Sequence, residues 1–320
     1  RSDNPRRAQS DLYVPRGAII DRDNNPINST TGETGDFLRE YLYPDLAPIA
    51  GYTHPIYGQA GLEAELDDYL RGLAGNPDAL IWWNQLLYGQ PPPGLDVRLS
   101  LDLALQRRAD EALGNHAGAI ILLNAESGEI LAMASHPTFD ANLLGETAEN
   151  LIVDHTSPLL NRATLGQYPI SAEIEVLFDL PTTPTLRLPI AVANEGYATP
   201  LQMALVAAAL SNNGLAPAPR IALAVNTSQS GWIILPALGK QIDLFALIET
   251  EQLLTTFVND KQPSWQHISI TKANEATGTW LLAGTTSDWG GTPLALVVLL
   301  EENNPALAKQ IAQGLLSISP

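Results

Sequence analysis

The period of apolar and polar positions changes several times along this chain, and each change marks an element. From Leu99 the run LSLDLALQRRADEAL carries apolar residues three and four apart and stops at Gly114, predicting a helix over 102–113 opened by Ser100. Residues 119–124 and 129–134 are short apolar runs on either side of Ala125-Glu126-Ser127-Gly128, the pattern of two strands joined by a turn. TPLQMALVAAAL, from Thr199, is apolar through three turns and runs into Ser211-Asn212-Asn213-Gly214, a helix with glycine just past its end. In QHISITKA, His267, Ser269 and Thr271 alternate with Gln266, Ile268 and Ile270, as in a strand with one wet face. Residues 279–284 and 293–301 add two strand-length apolar runs. Asn304-Pro305 then starts a last helix with Leu307, Ile311 and Leu315 on one side.

These elements predict an α+β fold in which 119–124 and 293–301 share one antiparallel sheet, covered by the first and last helices. Three prolines between Gly89 and Gly94 favour an extended linker and place a domain boundary there, giving domains 1–93 and 94–320. A chain of 320 residues is long enough for two such domains.

Composition narrows the function classes. A net charge of −18, with basic residues scattered apart from Arg6-Arg7 and Arg107-Arg108, argues against nucleic-acid binding, which needs clustered Lys and Arg. With no cysteine, neither disulfide nor thiol chemistry is available. The longest apolar runs, from Ala119 and Ala295, are strand-sized and short of the roughly 18 residues of a membrane helix. His54, His116, His136, His155 and His267 show no zinc-type spacing, so no metal or cofactor is expected. No nucleophile elbow, dinucleotide fingerprint or phosphate-binding loop occurs. The acidic group Glu63, Glu65, Asp67 and Asp68 reads as a solvated helix face.

Several stretches, in order, resemble class B penicillin-binding proteins. Arg16-Gly17-Ala18-Ile19-Ile20-Asp21-Arg22 and the segment from Arg39 through Tyr57-Gly58 and Gly61-Leu62-Glu63 are similar to the family's N-terminal pedestal, a dimerisation-type domain. The run from Leu99 to Asn142, TPLQMA, and TWLLAG followed by TPLALVVLLEE are similar to its transpeptidase domain. The glycines suit backbone turns, and Arg16, Asp21 and Glu63 suit ion pairs. The opening from Arg1 resembles the family's sequence just outside a single N-terminal membrane helix, which implies a membrane-anchored, extracytoplasmic protein.

The resemblance implies an acylating serine at the start of a helix, a lysine three residues later, a Ser-x-Asn loop and a Lys-Thr-Gly strand. A serine hydroxyl needs an adjacent base to attack a carbonyl. Here Ser171 is followed at the third position by Ile174, and shifting the match by one residue pairs Ala172 with Glu175. The one literal Ser-x-x-Lys, Ser269 to Lys272, lies in the strand-like run, where residues three apart face opposite ways. Ser211-Asn212-Asn213 closes a helix. Lys-Thr-Gly is absent: either Thr285 takes the lysine position or, the preferred register, Lys272 is kept with Ala273-Asn274 after it.

Only 25 residues, 171–195, separate Ile170 from Gly196, which implies that a helical subdomain is deleted and the transpeptidase-like domain truncated. Ile170, Ile174, Val176, Leu177 and Phe178 are then expected to collapse into the cleft. On this resemblance the chain is a pseudo-transpeptidase of peptidoglycan synthesis in which Ser171 and Lys272 are vestigial. The expected partner is a peptidoglycan polymerase or another cell-wall synthesis protein. The alternative is an active D,D-transpeptidase acylated at Ser171, with peptidoglycan or a β-lactam as ligand.

Overall fold

The computed structural model describes residues 12–89, 92–170, 196–257, 263–273 and 276–317. They fall into two compact units, one drawn from Arg1–Ser100, Thr138–Leu159 and Ala222–Pro236, the other from Leu101–Pro137, Leu160–Ile221 and Ala237–Pro320. This division differs from a single cut after residue 93. Gly94 N donates to Pro15 O (3.0 Å) and Leu95 N to Tyr69 O (3.0 Å), so the chain beyond the prolines stays with the first unit. Two later segments return to it.

In the first unit, β1 (Ile19–Ile20) runs parallel to β6 (Val97–Leu99), while β12 (Ala222–Thr227) lies antiparallel to β6 and to β13 (Gly231–Ile234). Two hairpins flank this sheet in sequence: β2 (Asn28–Thr31) with β3 (Leu38–Tyr41), and β4 (Tyr52–His54) with β5 (Gly58–Ala60). Asn142 clamps the end of β3 by accepting from Tyr41 N (2.8 Å) and donating to Tyr41 O (2.9 Å). Tyr41, Phe139, Leu144 and Ala148 form a small core there. Helix α1 (Asp78–Tyr88) follows, and it buries no residue.

The acidic group corrects the expectation of a solvated face. Glu65 and Asp68 are exposed, but Glu63 and Asp67, one helical turn apart and so on one side, are buried. Glu63 receives Arg16 Nη2 (2.9 Å), Arg39 Nε (2.7 Å) and Asn28 Nδ2 (2.8 Å), and Arg16 Nη1 reaches Asp67 at 2.6 Å. Two guanidinium and two carboxylate groups thus neutralise one another out of water, where an unpaired charge would be costly. Asp21 organises a turn, its Oδ1 accepting from the backbone of Asp23 and Asn25.

The second unit is built on a five-stranded antiparallel sheet in the order β15 (Ser264–Ala273), β16 (Ala276–Thr285), β17 (Leu294–Leu300), β7 (Gly118–Asn124), β8 (Ile130–His136). The expected pairing of 119–124 with 293–301 is present: Gly118 lies opposite Leu300 and Asn124 opposite Leu294. Both strands are buried on both faces except for Asn124, which explains their unbroken apolar runs. Helices α2 (Leu103–Leu113) and α6 (Pro305–Leu316) pack on one face through Ala109, Leu113, Ile311 and Leu315. The cap of α2 is Asp102 rather than Ser100, its Oδ1 accepting from Ala104 N and Leu105 N. Gln106 then exchanges two hydrogen bonds with the Met133 backbone, both 2.8 Å, and His136 bridges Asp110 (3.0 Å) and Gly114 O (2.9 Å).

Helix α4 (Pro200–Ser211) is nearly all buried, which is why it is apolar all round. Thr199 and Gln202 form its capping box, and Gly214, at φ +89°, receives the chain beyond its end. Helix α3 (Leu144–Val153) belongs to the first unit and α5 (Leu247–Phe257) to the second. Among the described residues, no helix is long and apolar enough to cross a membrane.

Candidate functional site

The approach to Ser171 is a tightly bonded platform. Ser135, on β8, donates to Leu160 O (3.2 Å) and accepts from Arg162 N (2.9 Å), while Leu201 N at the start of α4 donates to Ala163 O (2.9 Å). Glu301 Oε1 accepts from Arg162 Nε (2.8 Å) and from the Tyr168 hydroxyl (2.7 Å). Burial, and then the Glu301 charge, push the Tyr168 phenol well above the usual tyrosine range, so it stays a donor. The Tyr168 and Trp280 rings meet edge to face at 6.2 Å, and Trp280 Nε1 donates to Pro169 O (2.8 Å). Short strands β9 (Tyr168–Pro169) and β10 (Tyr197–Ala198) pair, and Ile170 N donates to Gly196 O (3.0 Å). The stretch from Ile170 to Gly196 is therefore closed at its base.

Strand β15 is the sheet edge beside this platform. Its register with β16 is unbroken from Ser264–Thr285 to Ala273–Ala276, so side-chain direction follows from parity. Trp265, His267, Ser269 and Thr271 share a face with Trp280, the residue that holds Pro169. Ile268 lies on the other face, packed against the core beneath α2 and α6. Trp265 is buried, donates to Ser211 Oγ (2.9 Å) and packs beside Phe257 of α5, whose ring also lies 4.7 Å from His267. A Cβ at Gly284 would come 2.1 Å from Ser211 Oγ, so this end of the face is filled. Ser269 Oγ and Thr271 Oγ1 are shielded from solvent without a hydrogen-bond partner among the described residues.

Comparison with known proteins gives matches in sequence and in fold. Residues 16–97 match the penicillin-binding protein A dimerisation domain. The chain is 32% identical over 139 residues to the peptidoglycan D,D-transpeptidase MrdA of Escherichia coli K12, covering 40% of this chain and 22% of that protein. It is 32% identical over 158 residues to the D,D-transpeptidase PbpA of Mycolicibacterium smegmatis, covering 44% of this chain and 31% of that one. The crystal structure of PBPA from Mycobacterium tuberculosis superposes with a TM-score of 0.82 at 17% identity, covering 96% of this chain and 99% of that chain. The D,D-transpeptidase domain from Eggerthella lenta superposes with a TM-score of 0.76 at 18% identity, covering 95% and 97%. These matches place residues 16–97 in the penicillin-binding protein A dimerisation domain family, and together with the shared fold they support a class B penicillin-binding protein. The matched segments span between about a fifth and a third of these two curated relatives, 22% and 31% of their lengths.

In this penicillin-binding-protein homologue the expected site residues fare differently. Ser171, Ile174, Val176, Leu177 and Phe178 lie outside the described residues, as does Asn274. Lys272 is exposed on β15 opposite Thr277, on the face that carries Ile268 and Ile270 and away from the one holding Trp280 and Pro169. Ser269 and Lys272 therefore point to opposite sides. The chain has four lysines, Lys240, Lys261, Lys272 and Lys309, and the three among the described residues are all exposed. Thr285, the other lysine-position candidate, is buried and accepts from Leu294 N (3.0 Å), a strand-end role. Arg162, Tyr168, Trp280 and Glu301 were not singled out from the sequence; with partners more than 100 residues apart, no local pattern signals them. No cluster of metal-ligating side chains occurs among the described residues.

Proposed function

We propose that this protein works in peptidoglycan synthesis without transpeptidase chemistry, as a membrane-anchored scaffold for a peptidoglycan polymerase or another cell-wall synthesis protein. The carrying observation is that the lysine expected three residues after Ser171 is absent from the sequence. The third neighbour of Ser171 is Ile174, and Lys272, in the strand register that best replaces Lys-Thr-Gly, is turned off the face that Pro169 docks on. A serine without a base loses several orders of magnitude in acylation rate. Lys272 and Ser171 are then vestiges of the family's site. The relatives are D,D-transpeptidases, which favours a second reading in which Ser171 is acylated with help from an unrecognised base.

Intact-mass spectrometry after prolonged incubation with a penicillin separates the two. The proposed reading expects no added mass. A stoichiometric adduct mapped to Ser171 would establish the active reading instead.

A further inference from the structure

Helix α1 is turned inside out relative to an ordinary surface helix. At 100° per residue, Trp82, Leu86, Ala79, Trp83 and Leu87 fall on one arc, and all five are exposed. The side toward the protein carries Leu80, Ile81 and Asn84, which are only half exposed. Trp82, Trp83, Leu86, Leu87 and Tyr88 keep between 52% and 70% of their surface in water. The two indoles lie side by side, ring centroids 5.9 Å apart. Asp78 is the helix's single charge, and between Arg71 and Arg98 there is no Lys or Arg.

We infer that α1 is a bilayer-contacting helix that lies in the interface of a zwitterionic lipid surface with its Trp82–Leu86–Trp83–Leu87 arc inward. Three observations select lipid over protein. The five exposed side chains offer roughly 600 Å² in all, less than the about 800 Å² per partner of a standard protein interface. A second copy would bring together two chains of net charge −18. The adjacent Trp side chains supply apolar rings with polar N–H tips, the pairing that suits the headgroup boundary. With no basic residue on the helix, anionic lipid gives it no attraction.

The test is flotation of the 320-residue chain, without any added anchor, on phosphatidylcholine vesicles, with and without brominated acyl chains. The chain is expected to float, with indole fluorescence quenched by bromine. Trp82→Ser combined with Trp83→Ser should weaken partitioning about 100-fold, and Leu86→Gln with Leu87→Gln should do so independently, both with an unchanged melting temperature. Failure to float, flotation unaffected by either double variant, or binding confined to anionic vesicles overturns the inference. So does self-association in sedimentation, abolished by the variants, without vesicle binding, which would assign the face to a second copy. Anchoring of the natural protein is read separately, by fractionating cells, so either idea can fail alone.

Discussion

Replacing Glu63 by alanine should destabilise the first unit by about 4 kcal/mol. The side chain is fully buried and gathers three donors: Arg16 Nη2 at 2.9 Å, Arg39 Nε at 2.7 Å and Asn28 Nδ2 at 2.8 Å. Removing it leaves the Arg16 guanidinium to Asp67 (2.6 Å) and the Arg39 group to Gly17 O (2.9 Å) and Thr30 Oγ1 (3.0 Å), with both arginines still out of water. Breaking a buried pair by deleting one partner costs about 3–5 kcal/mol, because the surviving charge keeps its desolvation penalty. Against a typical domain stability of about 5–15 kcal/mol, that is a large share. Urea unfolding followed by circular dichroism reads the loss. A companion variant, Glu63→Leu with Arg39→Met, removes one acid and one base together and should recover part of it, since Arg16 keeps Asp67 (2.6 Å) as its counter-ion. A Glu63→Ala loss below about 1 kcal/mol would mean that the cluster behaves as a surface ion pair and that its burial carries no energetic weight.

Three further outcomes are expected. Trp280→Phe, which deletes the 2.8 Å bond to Pro169 O but keeps the aromatic bulk, should cost about 1 kcal/mol in thermal unfolding. It should also speed hydrogen exchange at Ile170 N. Gly128→Ala should destabilise the second unit by about 2 kcal/mol or more: Gly128 sits at φ +74°, and its added Cβ would lie 2.1 Å from Ala218 O. Melting temperatures check this. In ultraviolet alkaline titration, Tyr41 and Tyr168 should resist ionisation well above the ordinary tyrosine pKa of 10.0 for as long as the chain stays folded. Burial first, and then the nearby Glu63 and Glu301 charges, raise their pKa values above the ordinary 10.0. A folded-state pKa above the unfolded one gives stability that is complete below pH 10 and is lost as the pH rises beyond it. Early, reversible ionisation of every tyrosine in the folded protein would contradict this.

How much was legible in the sequence depended on how far each residue's partner lies along the chain. Strands β7 and β17 could be read because nearly every side chain is buried, so the apolar run itself is the signal. Strand β15 showed in the alternation of Ser269 and Thr271 with Ile268 and Ile270, and that same alternation separates Ser269 from Lys272. The expected ion pair of Glu63 with Arg16 is present, but its burial was not legible, because a run of nearby acids looks solvated when its arginines are 47 and 24 residues away. The Tyr168–Glu301 and Trp280–Pro169 bonds join residues 133 and 111 positions apart, beyond any local pattern. Helix α1 was missed for another reason. Apolar periodicity tells which residues share a side, but not whether that side meets protein or water.

The order of the five-stranded sheet also constrains how the chain is made. β7 and β8 leave the ribosome as a ready hairpin, yet the other edge of β7 waits for β17, which begins 170 positions after β7 ends. Until Leu294–Leu300 has been made, seven residues of strongly apolar backbone stand unpaired, the kind of edge that recruits other chains. The central pairing is therefore non-local and slow for its size. Shortened products ending before Leu294 should aggregate however well their first unit folds.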